Sequence, residues 1–218
     1  MSEPMMIDVW SDVVCPWCYI GEKRLEQALA QRPELAVEIR WQPFQLRPDM
    51  PAQGEPWGAF AFEKFGGIAR AQAAFNQVTT VGREVGLEFN FDRVTSAPNT
   101  VDAHRLILLA GEYGLQWPLA TALFAAYFSD GRNLNDHAQL VEIAVGVGLD
   151  GAAVRAVLAS DAKIADVQHN QESATQLGVQ GVPFYVLDQR YAVSGAQPVG
   201  VFLRALDTAA REQTGERG

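Results

Sequence analysis

The chain has 218 residues, 48% of them apolar and 20% charged, enough to bury a sizeable core without disulfide staples and usual for a globular protein. Its 26 acidic and 17 basic side chains leave a net charge of −9. That argues against a nucleic-acid partner, whose phosphates need Lys and Arg to neutralise them. No apolar run approaches the ~20 residues that span a bilayer. The opening MSEPMMIDVWSD has neither a basic n-region nor an apolar h-region, so a cytoplasmic protein that enters no membrane is expected.

Residues Met5–Trp10 read as a short buried strand, and a helix is expected from Cys15 to Gln31, with Pro16 in its first turn. Val37–Phe44 alternates Val37, Ile39 and Trp41 with Glu38, Arg40 and Gln42, the period of a half-buried strand. Together these make a β-α-β unit. The Pro/Gly-rich stretch Arg47–Gly58 reads as a loop. Helices are then expected over Trp57–Phe65, Ile68–Val85, Thr100–Tyr113, Leu119–Phe128, Ala138–Val147, Ala152–Leu158 and Asp161–Leu177. Asn99 or Thr100, Asp136 and Asp161 are candidate caps, and Gly114, Gly131, Gly148 and Gly178 mark helix ends. Pro183–Leu187 and Tyr191–Ser194 flank Asp188-Gln189-Arg190 as a β-hairpin. A last helix covers Val199–Arg211. The expected fold class is α/β, with an α/β domain from residues 1–50 and 179–218 and an all-helical insertion over 51–178.

The two cysteines, Cys15 and Cys18, enclose Pro16 and Trp17. A structural disulfide framework would spread its cysteines along the chain. A zinc site needs about four ligands; Cys-x-x-Cys supplies two, and His104, His137 and His169 have no paired spacing, so no metal is expected. Inert core packing would leave a proline between the cysteines unexplained. Thiol–disulfide chemistry explains it. The thiolate is the nucleophile, and the unpaired N–H groups and dipole of a helix N-terminus stabilise an anion. Cys15 is expected at the exposed tip of that helix. Cys18 shares a face with Leu25 and Leu29 and is expected to be buried. Cys15 would form a mixed disulfide and Cys18 would resolve it.

Pro183 opens a strand. This is either a plain loop-to-strand junction, since proline is tolerated at a strand's first residue, or a cis peptide after Val182. With these residues in place the sequence resembles the thioredoxin-like fold in its DsbA form, and within that family the cytosolic FrnE-type branch. The stretches carrying the resemblance are Ser11–Leu29, Phe44–Pro51, Asn99–Leu106, Leu123–Leu134 and Gly178–Pro198. It implies a thiol–disulfide oxidoreductase or isomerase. It also implies a cis Val182–Pro183 bond against the Cys15–Cys18 pair, and a Val182 backbone that docks an extended substrate segment. The same superfamily holds kappa-class glutathione transferases and 2-hydroxychromene-2-carboxylate isomerases. They share an Asn-Thr motif like Asn99–Thr100 but usually carry serine at the position of Cys15 and lack the second cysteine. A glutathione-dependent isomerase or transferase is therefore the alternative function.

No bound cofactor is expected beyond the redox pair, with glutathione a candidate co-substrate. The partner is expected to be a disulfide-containing protein or a low-molecular-weight thiol. Trp17 would tune the motif's field or offer an apolar contact. Asn99, Thr100 and His104 are candidate substrate-side residues, with His104 either facing Cys15 or serving as a structural hydrogen-bonding residue. Trp41, Phe44 and Trp57 either line a groove or belong to the core. Ser194–Gln197 reads as a structural turn.

Overall fold

β1 (Met5–Ser11) is buried along nearly its whole length, Asp8 and Ser11 included, so both of its faces are covered. In the computed structural model, which describes residues 4–213, β1 is central in a four-stranded sheet. It pairs in parallel with β2 (Val37–Pro43), Met5 opposite Val37 and Ser11 opposite Pro43. On its other side it runs antiparallel to β5 (Phe184–Leu187), which turns into β6 (Tyr191–Ser194). The order is β2-β1-β5-β6. Asp188 and Gln189 take positive φ in the β5–β6 turn, and Asp188 accepts the Met6 N–H, tying the hairpin to β1.

Helix α1 (Pro16–Leu29) crosses from β1 to β2, as right-handed β-α-β connections do. It is buried on two sides. Leu25 and Ala28 share a cluster with Ile7, Val9, Tyr185 and, from α9 (Val199–Gln213), Phe202 and Leu206. Cys18, Tyr19 and Ile20 belong to a second cluster, with Leu106 and Phe124 of the helical segment. Gly21 sits where α1 meets the sheet: a Cβ there would lie 2.3 Å from Tyr185 Oη and 3.0 Å from Pro183 Cγ.

Between β2 and β5 the chain forms α2 (Trp57–Phe65), α3 (Ile68–Glu84), α4 (Val101–Gly111), α5 (Gln116–Phe128), α6 (His137–Gly146), α7 (Gly151–Leu158) and α8 (Ile164–Gln176). This segment is not purely helical: Glu55–Pro56 (β3) pairs antiparallel with Ser96–Ala97 (β4). Asp136 caps α6 as expected, and Asp150 caps α7, each worth about 1 kcal/mol. The expected Asp161 cap is not used. Helix α8 begins after Lys163, which is left-handed and makes no side-chain cap bond. Helix α5 starts three residues before Leu119, because Pro118 falls in a first turn where its missing N–H is not needed. No helix among the described residues is long and apolar enough to cross a membrane.

Candidate active site

The motif sits at a chain reversal after β1. The Cys15 N–H donates to the Asp12 carbonyl at 2.9 Å, and Cys15, in extended geometry, becomes the N-cap of α1 with Pro16 in its first turn. Proline fits because its absent N–H would be unpaired there. The Cys15 Sγ accepts the Cys18 N–H at 3.3 Å and donates to the Val182 carbonyl at 3.7 Å. The sulfur is thus held between a helix N-terminus, which favours an anion, and the loop before β5.

Cys15 is not the exposed tip that helix geometry alone suggests. It is 4% exposed and belongs to the same core cluster as Cys18, with Val14, Trp17 and Val182 packed against that cluster. Cover from a loop remote in sequence is what helix position could not reveal. Cys18 is 1% exposed, in line with expectation. Burial pushes its thiol well above the ordinary value, the Cys15 sulfur adds to this, and bonds with Ser11 and Asp12 pull the other way. Both cysteines are free thiols.

The Val182–Pro183 peptide is cis. Pro183 is buried, its ring faces Gly21 of α1, and its carbonyl accepts the Gly195 N–H. The Val182 N–H has no acceptor among the described residues. The Ser194–Gln197 turn is anchored to α1, since Arg24 donates to the Ala196 carbonyl.

Beneath the motif lies a residue the sequence did not single out. Asp12 is 1% exposed. Its carboxylate accepts the Leu46 N–H at 2.8 Å and meets His104 Nε2 at 3.2 Å. With its carbonyl taken by Cys15, Asp12 ties the motif, the loop after β2 and α4 together. His104 therefore reaches the site through Asp12, and its Nδ1 has no partner among the described residues. Asn99 uses both ends of its amide within the protein, donating to the Met50 carbonyl and accepting the Val101 N–H. Thr100 is the buried N-cap of α4. Trp17 and Pro16 are half-buried.

Of the three aromatics, Trp41 and Phe44 are buried in core clusters. Trp57 lines a pocket whose wall includes Val14 and Pro16. One turn beyond Cys18, Glu22 is buried, and desolvation raises its carboxyl to about 8. Thr121 donates to one of its oxygens, while the other and the buried Tyr185 hydroxyl have no partner among the described residues. Among the described residues, no group of three or more His, Cys, Asp or Glu side chains is placed to hold a metal ion.

Comparison with known proteins places these features in a wider set. Residues 6–207 match the family model of the DSBA-like thioredoxin domain. A crystal structure titled a "probable DsbA oxidoreductase" from Streptomyces coelicolor is 40% identical, covers 98% of this chain and 92% of its own, and has a TM-score of 0.86. Two likenesses below 25% identity bear on fold alone. A 2-hydroxychromene-2-carboxylate isomerase, 16% identical, covers 98% of this chain and all of its own at a TM-score of 0.74. The cytosolic disulfide reductase DsbM from Pseudomonas aeruginosa, solved with GSH, is 20% identical and covers 96% of this chain and 98% of its own at 0.64. The expected thioredoxin-like fold is the one found; the insertion expected to be all-helical also carries the β3–β4 pair.

Proposed function

The chain belongs to the DsbA-like thioredoxin domain family, an enzyme family of the thiol–disulfide oxidoreductase kind, and from that premise we propose that it exchanges disulfides through a Cys15 mixed disulfide. The observation that carries this reading is the Cys15 sulfur at the N-cap of α1, accepting the Cys18 N–H. The sulfur therefore lies at the positive end of the α1 dipole, with a backbone N–H pointed at it.

In the reducing direction, the Cys15 thiolate attacks one sulfur of a substrate disulfide, R–S–S–R′. A Cys15–S–S–R bond forms and R′–S⁻ leaves. Cys18, after losing its proton, attacks the Cys15 sulfur and expels R–S⁻. The dithiol has given up two electrons and the substrate has become two thiols. The oxidising direction is the reverse. Burial of Cys18 suits its part, because the resolving thiol meets only a disulfide already formed on Cys15. The unpaired Val182 N–H and its carbonyl are the backbone groups that dock an extended substrate beside Pro183. In this division of labour, residues 1–50 and 179–218 carry the redox pair and 51–178 supply the substrate wall. Asn99, Thr100 and His104 act from that wall through the loop and Asp12 rather than by touching sulfur. No bound cofactor is required, and glutathione is a natural co-substrate. The likeness to the cytosolic reductase DsbM supports a cytoplasmic location.

Cys15→Ser should abolish exchange, while Cys18→Ser should still accept a mixed disulfide and fail to turn over. Loss of exchange in neither variant would contradict the proposal. Direction follows from the Cys15–Cys18 potential against glutathione: a value near about −120 mV marks an oxidant and one near about −270 mV a reductant. The likeness to the isomerase favours a second reading, a glutathione-dependent isomerase or transferase. Tight glutathione binding with turnover surviving Cys18→Ala would establish it instead.

A further inference from the structure

The Cys18 thiol must lose a proton before it attacks, and at 1% exposure it has no route straight to bulk water. Ser11 and the Asp12 N–H favour its thiolate by hydrogen bonding, but groups that donate to the sulfur do not take a proton from it. Most carboxylates near the motif are engaged. The face of β1 turned to α1 carries Met5, Ile7 and Val9 and no acid. Asp8, on the other face of the sheet, is held by Arg40 and Gln42. Asp12 is held by Leu46 and His104. Glu26 is exposed and paired with Lys23.

Glu22 differs. It is 4% exposed, and its Oε2 has no partner among the described residues. It follows Cys18 by four residues on α1, a spacing that brings Cβ atoms to about 5–6 Å. The Tyr185 hydroxyl, fully buried, is a second polar group without a partner among the described residues. Its oxygen approaches α1 so closely that a Cβ on Gly21 would lie 2.3 Å from it. Gly21 falls between Cys18 and Glu22 in the chain, and the charges of Cys18, Glu22 and Cys15 all act on the phenol. Two unpaired polar groups in one interior contact weaken the fold, and apolar packing does not explain them.

Building on the exchange chemistry proposed above, we infer that Glu22 takes and returns the Cys18 proton through the Tyr185 hydroxyl. When a mixed disulfide on Cys15 is resolved, the Cys18 proton moves to the Tyr185 oxygen as the Tyr185 proton moves to the Glu22 carboxylate. The Cys18 sulfur attacks the Cys15 sulfur, the Cys15–Cys18 bond forms, and the Cys15–S–R bond breaks with its electron pair on R–S⁻. The carboxylate ends as a carboxylic acid. In the opposite direction a thiolate attacks Cys15, Cys18 leaves, and Glu22 returns the proton. Burial raises the Glu22 carboxyl to about 8. At neutral pH it therefore carries its proton, ready for opening of the Cys15–Cys18 bond, while closing waits for ionisation. Apart from Thr121 of α5, only Glu26 and Lys23 of α1 act on this carboxyl, and Arg24 acts on Tyr185.

Stopped-flow reaction with 5,5′-dithiobis(2-nitrobenzoate) tests this. The first aromatic thiolate released marks attack by Cys15 and the second marks resolution by Cys18. In the wild-type protein the second-phase rate should rise about tenfold per pH unit and level near pH 8. Glu22→Gln should slow that phase about a hundredfold at pH 8 and abolish the levelling, and Glu22→Asp should restore it. Tyr185→Phe, which keeps the ring against Phe202, should slow the phase as well. Glu26→Gln should leave both phases unchanged. A second phase within about threefold of wild type in Glu22→Gln or Tyr185→Phe, a wild-type profile with no bend near pH 8, or equal slowing by Glu26→Gln would each overturn the inference. If the first phase survives Cys15→Ser, the exchange reading itself falls; a normal first phase with an unaffected second removes only the role of Glu22.

Discussion

Replacing Glu22 by Gln should stabilise the protein, and by an amount that grows with pH. The carboxyl is buried in α1 one turn beyond Cys18, with a pKa raised from an ordinary 4.5 to about 8 by desolvation. Below pH 4.5 both folded and unfolded chains hold the proton, and the raised value has no effect. Between pH 4.5 and about 8 the unfolded chain releases the proton while the folded chain keeps it, so stability falls as pH rises. At about 1.36 kcal/mol per pH unit, the accumulated loss is about 3 kcal/mol at pH 7 and about 5 kcal/mol above pH 8. Gln at position 22 keeps an oxygen for the Thr121 hydroxyl and never ionises. Urea unfolding of Glu22→Gln and wild type from pH 4 to 8, with both cysteines as serine to exclude thiol titration, isolates the carboxyl as the difference between the curves. The gap should widen by about 1.4 kcal/mol per unit above pH 5. A gap independent of pH would show that Glu22 is hydrated and refute the burial argument.

Asp12→Ala should cost roughly 2–4 kcal/mol in urea unfolding, since the Leu46 N–H and His104 Nε2 lose their partner inside the protein. A cost under about 0.5 kcal/mol would mean that the knot beneath the motif is not structural. Gly21→Ala should cost about 1–3 kcal/mol by overpacking, because the new methyl meets Tyr185 and Pro183; an unchanged melting temperature would show that α1 can lift from the sheet. In the reduced protein at pH 7, iodoacetamide should modify Cys15 well before Cys18, whose thiol is buried and held protonated. Peptide mass spectrometry showing the reverse order would contradict the assigned roles.

The β-α-β start was legible because its signals are local. The period-2 alternation of Val37, Ile39 and Trp41, and a proline placed to begin a helix, are written in adjacent residues. The same holds for the hairpin around Asp188 and for the Asp136 cap. What escaped the sequence depends on distant partners. Cys15 is covered by the loop at Val182, 167 residues away, and a helix wheel carries no record of that. Asp12 is one acid among many until His104 and Leu46 reach it. Glu22 stands in the charged run Gly21-Glu22-Lys23-Arg24, which reads as a solvated face, yet the helical segment closes over it. The β3–β4 pairing joins Glu55 to Ala97 and Pro56 to Ser96, far apart in the chain, in stretches with no strand period. Lys163 precedes α8 in a left-handed conformation without a capping side chain, so no cap signal marks that start.

The most direct test of the account is mass spectrometry of the Cys18→Ser variant after reaction with 5,5′-dithiobis(2-nitrobenzoate). A stable adduct should form on the peptide containing Cys15, while the wild-type protein should release two aromatic thiolates per chain and retain an internal Cys15–Cys18 disulfide with no adduct. An adduct that persists on wild-type Cys15, or a Cys18→Ser variant that forms none, would contradict the claim that Cys15 attacks and Cys18 resolves.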